Sequence, residues 1–302
     1  MSARAVLDPL AGSLPQPLLG QDYTRVARSR FRPPQPLTER QVDPSEFEGQ
    51  ALKRELAVAR RIQQSLLPKH FPSLPGFELA GFCQSACQVG GDFYDVLPLS
   101  SESMLLVIAD VMGKGVPAAM FASTLRTLVR TISEWTCDPA QLLARINRLM
   151  FEELSSVDMF ITIQVAVADA RRRSLVLANA GHCPLLFSDG LSAPKALAPE
   201  GLPLGIRPDG AFAQETIPLS PFSCALLYTD GLTDARNEKG EVFGQPRLEN
   251  WLRRNASTNR TAPQLRQQFL AELGRFQSSA APPDDQTFLL LVHAAEGQHL
   301  AE

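Results

Sequence analysis

The chain is poor in the residues that would declare a specialised class. Only four histidines are scattered over 302 residues, and the five cysteines are odd in number. Cys83 and Cys87 form one close pair, but no second pair completes a zinc ligand set. Cysteines in or beside apolar segments read instead as buried free thiols of a reducing compartment. No apolar run approaches the roughly 18–20 residues of a membrane span. Near the N-terminus, Asp8, Pro9, Gly12 and Pro15 interrupt any signal-peptide core. The net charge of −3 lacks the basic footprint of a general nucleic-acid binder. The expectation is a cytoplasmic globular protein with no membrane span and no nucleic-acid partner, and 44% hydrophobic residues suffice for a substantial core.

Residues 1–44 are rich in Pro, Gln, Arg and Ser, with Arg25, Arg28, Arg30 and Arg32 close together, the composition of a disordered basic arm. A helical pattern follows. Ser45 and Glu48 have the spacing of a capping box, and Leu52, Leu56, Ala59, Ile62 and Leu66 recur at three- and four-residue steps. Pro68 stops it. Residues 45–67 therefore form a linker helix with one apolar stripe and charges on its other faces. That stripe suits packing on the next domain, a seam with a second copy, or a regulatory contact with an activating protein. Residues 68–295 make the globular domain, and residues 296–302 a flexible tail.

Within that domain, strands are expected over 77–83, 93–97, 104–109, 159–167, 174–179, 185–188, 212–217, 224–229 and 286–293. Helices are expected over 115–135, 139–154, 248–254 and 264–276. In the first of them Ala119, Phe121, Leu125, Leu128, Val129 and Ile132 are expected to face inward, with Pro117 in the first turn. Arg171, Arg172 and Arg173 read as a solvated hairpin tip. Runs of strands broken by paired helices imply an α+β fold, two sheets packed face to face with helices outside.

Four segments carry an acid at the edge of an apolar strand beside Gly or a second acid. They are Val89-Gly90-Gly91-Asp92-Phe93-Tyr94-Asp95, Ala109-Asp110-Val111-Met112-Gly113, Tyr228-Thr229-Asp230-Gly231-Leu232-Thr233-Asp234 and Pro283-Asp284-Asp285-Gln286-Thr287. One Asp beside Gly after a strand is an ordinary turn. Four such edges, if they converge, make a pocket of oxygen ligands that repels itself without cations. Hard divalent ions are its natural occupants. Two of them about 3.5–4 Å apart would clamp a phosphoryl group and activate water for in-line attack.

Together with Asn179-Ala180-Gly181-His182-Cys183-Pro184-Leu185 and the Lys114-Gly115 continuation of the second segment, these motifs resemble the SpoIIE/RsbU branch of the metal-dependent (PPM, type 2C) serine/threonine phosphatases. The resemblance covers about residues 50–294 in the expected motif order. It implies an αββα sandwich of two mainly antiparallel sheets flanked by helices, with an N-terminal helix. It further implies two Mn²⁺ or Mg²⁺ ions and a phosphorylated protein substrate of the STAS type, an anti-sigma-factor antagonist of bacterial partner switching. Carried over by motif, Asp110 bridges both ions and the Val111 carbonyl ligates one of them. Asp92 holds the second ion, and Asp230 and Asp284 hold the first. Asp285 is the alternative to Asp284, with water orientation or turn termination as its other roles. Asp95 supports the loop, and Asp234 caps a helix start.

The sequence departs from the eukaryotic branch at two places. Met112 stands where that branch has a histidine, and Gln84–Gly91 contains no phosphate-gripping arginine. Phosphate binding then falls to the ions, with Lys114 a further contact, and His182 is a candidate acid. Two other readings compete. One is a non-catalytic binding module on the same fold. The other is a nucleotide cyclase suggested by Gly90-Gly91-Asp92, although Phe93-Tyr94 follows where a cyclase places Glu.

Overall fold

The computed structural model describes residues 44–293 except 257 and 259, with side chains from residue 49 onward. The basic arm before residue 44, the expected Ser45/Glu48 capping box and the 296–302 tail lie outside that description. The chain divides into two compact units, Met1–Gln50 and Ala51–Glu302, and of the first the description covers only the opening turns of helix α1 (Pro44–Leu66).

The second unit is built in four layers. One sheet has the order β1 (Phe77–Gln84), β10 (Gln286–His293), β9 (Cys224–Tyr228), β6 (Leu185–Ser188), β7 (Lys195–Leu197). The other has the order β2 (Phe93–Pro98), β3 (Ser103–Val111), β4 (Ile161–Asp169), β5 (Ser174–Ala180), β8 (Gln214–Pro218). All pairings are antiparallel. Helices α2 (Val116–Ser133) and α3 (Pro139–Ser156) cover the second sheet, while α5 (Gln245–Asn255) and α6 (Ala262–Gln277) cover the first. This is the αββα sandwich expected from the sequence.

The apolar runs explain the layering. A strand buried on both faces has no polar side, so β3 reads as a continuous apolar segment. Its alternate residues still separate. Leu105, Val107, Ala109 and Val111 join the core under α2 and α3, whereas Met104, Leu106 and Ile108 join the core between the sheets. Strand β10 divides in the same way: Leu289 and Leu291 face the opposite sheet, and Phe288, Leu290 and Val292 face α5 and α6.

Several expectations need correction. Of the residues expected to face inward from α2, Leu125, Val129 and Ile132 are buried, and Phe121 and Leu128 pack partly buried at the margin of the same core; Ala118 and Ala122 complete the buried stripe, and Ala119 is half-buried beside it. Strand β3 runs on to Val111, so Asp110 lies within the ladder opposite Thr162 rather than beyond its end. The edge strand β7 and the one-turn helix α4 (Asp230–Thr233) have no signal of their own, being three and four residues long. Asp234 closes that turn as its C-cap instead of opening a helix, its N–H bonding the Asp230 carbonyl. All five cysteines are free, but only Cys224 is fully buried, and Cys87 and Cys137 are exposed.

Asp95 shows how the helical layer is fixed to the sheet. It is fully buried in β2, and both carboxylate oxygens are engaged by α2: Arg130 Nε and Nη2 donate at 2.7 and 2.9 Å, and Arg126 Nε lies 3.1 Å away. Removing one partner of a buried ion pair strands the other. Because Arg130 is partly exposed and can be solvated when its partner is removed, Asp95→Ala is expected to lower unfolding free energy by about 1.5–3 kcal/mol, measurable by urea denaturation; a loss below about 0.5 kcal/mol would mean that the arginines are satisfied elsewhere.

Candidate metal centre

Four chain segments meet at one edge of the sandwich. Asp92 ends the irregular segment between β1 and β2, and Asp110 sits near the end of β3. Asp230 opens α4 directly after β9, and Asp284 and Asp285 precede β10. Strands β9 and β10 are neighbours in one sheet and β2 and β3 in the other, so antiparallel register delivers all five acids to the same end.

The acids are held differently. Asp285 is buried, and its oxygens accept from the backbone N–H groups of Ala86 (2.8 Å) and Asp92 (3.4 Å). Gly90 and Gly231 pack against it so closely that a Cβ on Gly90 would overlap the Asp285 carboxylate, and one on Gly231 its carbonyl. Asp92 is buried and accepts from the Thr229 hydroxyl at 2.7 Å; that hydroxyl oxygen in turn accepts from the Thr287 N–H at 3.1 Å. Asp284 is more open. Its Oδ1 accepts from the Asp285 N–H, and its Oδ2 pairs with Lys114 Nζ at 3.0 Å, while the same ammonium donates to the Pro283 carbonyl. The Val111 carbonyl lies against Gly91, where a Cβ would come within 2.6 Å of it.

The carboxylates feel one another. Burial, and then the charges of Asp230, Asp284 and Asp285, push the Asp110 carboxyl up to about 7. Burial and Asp110 raise Asp92 well above the usual carboxylate range, against the lowering effect of the Thr229 hydrogen bond. Asp230 is raised by its own burial and by Asp234 and Asp284. Among the described residues no three acid, histidine or cysteine side chains close into a ready-made cage. The donors still fit hard divalent ions, which need only one or two carboxylates each and keep several waters. Every first-rank donor is oxygen, and the negative charge is in excess: Lys114 is the cation that reaches the cluster, through Asp284.

His182 stands behind this edge. Its Nδ1 shares a 2.8 Å hydrogen bond with the Thr162 hydroxyl, and its N–H donates to Asn179 Oδ1 at 2.7 Å. Burial lowers it to about 4, so the ring is neutral near pH 7. Asp95 is remote in role, committed to its two arginines. Sequence reasoning gave no task at the site to two contributors: Thr229, which orients Asp92, and Gln63 at the end of α1, whose stretch Gln63–Pro68 had only the resemblance to the linker that precedes RsbU-type catalytic domains. Thr229 lay inside a motif already noted, and its place between a strand and an acid was the available signal.

Comparison with known proteins matches this geometry to a family. The family model described as Stage II sporulation protein E (SpoIIE) matches residues 100–293. The chain is 32% identical over 192 residues to "Phosphoserine phosphatase RsbU" of Bacillus subtilis, covering 63% of this chain and 57% of that protein. It is 31% identical over 229 residues to "Protein IcfG" of Synechocystis, covering 67% of this chain and 36% of that protein. It therefore spans only part of the length of both relatives. Among solved structures, the SiaA-PP2C domain of Pseudomonas aeruginosa superposes with a TM-score of 0.73 at 28% identity, covering 81% of this chain and 98% of that one.

The electrostatics give a stability test. A carboxyl whose folded pKa lies above its unfolded value near 3.9 opposes folding increasingly as pH rises between those two values. In metal-free protein, Asp110→Asn removes that opposition. The variant is expected to melt roughly 2–8 °C above the parent at pH 8, the effect of about 1–2 kcal/mol, with the gap closing towards pH 4. A pH-independent gap, or a less stable variant at pH 8, would show that Asp110 is not under this repulsion.

Proposed function

The chain belongs to the SpoIIE family, and we propose that it is a Mn²⁺- or Mg²⁺-dependent phosphatase acting on phosphoserine or phosphothreonine of a regulatory protein. The observation that carries this reading is the gathering of acids from four segments at one sheet edge, with Asp110 pushed up to about 7 by burial and by its neighbours. The similarity to RsbU, named a phosphoserine phosphatase, supports the same reaction class. Gly90-Gly91-Asp92 lies in a segment joining two different sheets, not at a hairpin tip, which weighs against a cyclase.

In this proposal Asp110 and the Val111 carbonyl, Asp92, Asp230 and Asp284 would hold two ions, Asp110 shared between them, Asp92 serving the second and Asp230 and Asp284 the first. Asp284 is preferred to Asp285 because its side chain is open at the rim, whereas Asp285 is buried with both oxygens turned to the backbone N–H groups of the preceding segment. When bound, such ions polarise the phosphate ester and make a water acidic enough to attack in line. The protein's own groups hold that arrangement. Thr229 aims Asp92, Asp285 fixes the segment leading to it, and Lys114 stands at the half-exposed rim where phosphate charge arrives. His182 is poorly placed electrostatically to give up a proton, since burial keeps it neutral; its part is to hold Thr162 opposite Asp110.

We assign the substrate to the STAS-type anti-sigma-factor antagonists, the class that the resemblance to RsbU-type phosphatases implies, and the compartment to the cytoplasm. No helix among the described residues is long and apolar enough to cross a membrane. Control is assigned to residues 45–67, through an activating protein or a second copy of the chain. Leu52 and Ile62 of that helix are 57% and 58% exposed, so half of its apolar stripe stays uncovered, while Leu56, Ala59 and Leu66 are partly buried.

With a generic phosphate ester and Mn²⁺, Asp110→Asn is expected to lower kcat by about 10³-fold, as loss of several kcal/mol of transition-state stabilisation requires. Equal rates in the two proteins would end the two-ion reading. Leu56→Pro breaks the helix interior at a cost of about 3 kcal/mol and is expected to abolish activation while leaving the domain folded. Unchanged basal and activated rates would remove the helix from control.

A further inference from the structure

Residues 85–92, which lead from β1 to Asp92, have no strand partner, so water at the exposed positions and side chains at the buried ones must satisfy their peptide groups. Two side chains do this. Asp285 takes the N–H groups of Ala86 and Asp92. The other is Gln63, in the last turn of α1 and 27 residues away from its partner. Its Nε2 donates to the Gly90 carbonyl at 2.6 Å, and the Gly90 N–H donates to its Oε1 at 3.1 Å. One primary amide thus pairs with both polar groups of a single residue, as a neighbouring strand would. Gly90 is buried, and its Cα faces the Asp285 carboxylate with no room for a side chain. The peptide two residues before Asp92 is therefore gripped from both sides.

We infer that Gln63 is a positioning residue for the metal centre: its amide sets the Gly90 peptide and, through it, the placement of Asp92 against Asp110. The inference rests on the metal-centre reading above and deepens it, because the clamp is carried by the same helix to which control was assigned. Leucine, glutamate or asparagine at position 63 cannot reproduce the pair. Leucine has no polar atom, ionised glutamate accepts without donating, and asparagine is one methylene short. A helix displaced by one turn, about 5.4 Å, would carry the amide out of reach of Gly90. Gln64 supplies the comparison, having the same chemistry one position on while being exposed.

The experiment uses the full chain, with Gln63→Leu, Gln63→Glu and Gln64→Leu beside the parent. Mn²⁺ binding is measured by calorimetry, amide exchange is followed over residues 86–92, and melting is recorded without metal. Gln63→Leu is expected to weaken Mn²⁺ binding about tenfold, the usual effect of losing a group that orients a ligand. Exchange over 86–92 rises in the same variant, kcat falls more than KM changes, and the melting temperature holds near that of the parent. Gln63→Glu, which keeps the acceptor, loses less, and Gln64→Leu loses nothing. Mn²⁺ affinity and exchange unchanged in both Gln63 variants, or an equal loss in Gln64→Leu, would overturn the inference. If the parent chain itself takes up no Mn²⁺, the metal-centre reading falls and this inference with it. Exchange raised by Gln63→Leu would then mark the amide pair as a structural clamp alone.

Discussion

The two sheets are tied together at the functional edge by carboxylates, not by apolar packing. Asp285, from the sheet that contains β10, accepts N–H groups from the segment that leads into β2 of the other sheet. Thr229, at the end of β9, reaches across to Asp92 at the start of β2. The bonds to Asp92 and from its N–H are buried, where a hydrogen bond is stronger than in water, and the bond from Ala86 is partly so. The rest of the site depends on them. Without them residues 85–92 have no fixed path, because those residues contribute nothing to either ladder.

The same carboxylates make the edge unstable by itself. Asp92 and Asp95 are three residues apart in one motif, yet they meet opposite fates. Asp95 points at Arg126 and Arg130 and is fully compensated, and it fixes α2 to the sheet. Asp92 faces Asp110 and has only a hydroxyl and the field of other acids around it. A fold selected for stability alone would place an arginine or an amide there. On the metal-centre reading, leaving Asp92 and Asp110 without a cationic partner would make the edge attractive to divalent ions, and ion binding and folding would be linked through the same charges.

Much of this was legible in the residues. The continuous apolar strands broken by paired helices gave two packed sheets with helices outside, and the glycine-flanked acids gave the candidate donors, because doubly buried strands and strand-end acids leave local patterns; the antiparallel order and the meeting of the acids at one edge came with the family resemblance. The burial of Ala118 and Ala122 in α2, the C-cap role of Asp234 and the partners of Asp95 were not legible. Each depends on which neighbour lies across a tertiary interface, and spacing along the chain carries no such information. Gln63 is the clearest case. A glutamine on a charged helix looks solvated, and only the approach of Gly90 gives its amide a task. Gly90 itself looked like half of a nucleotide-binding turn; its lack of a side chain serves the close approach to Asp285 instead.

The charge balance also orders the proposed reaction. A phosphoserine arrives with close to two negative charges at neutral pH, at an edge already occupied by Asp92, Asp110, Asp230, Asp284 and Asp285. No arginine lies between Gln84 and Gly91, and the cation that reaches the acids among the described residues, Lys114, is engaged by Asp284 and the Pro283 carbonyl. On the metal-centre reading, substrate therefore meets net repulsion until the ions are in place, and ion loading is a condition for binding as well as for chemistry. Lys114 sits where these two demands cross. Were Asp284 engaged by an ion, Lys114 would lose its carboxylate partner and its ammonium would be left at the rim for a phosphate. The turn that departs from the eukaryotic pattern at Met112 thus keeps, two residues on, a cation able to take over part of the work that the missing arginine would do.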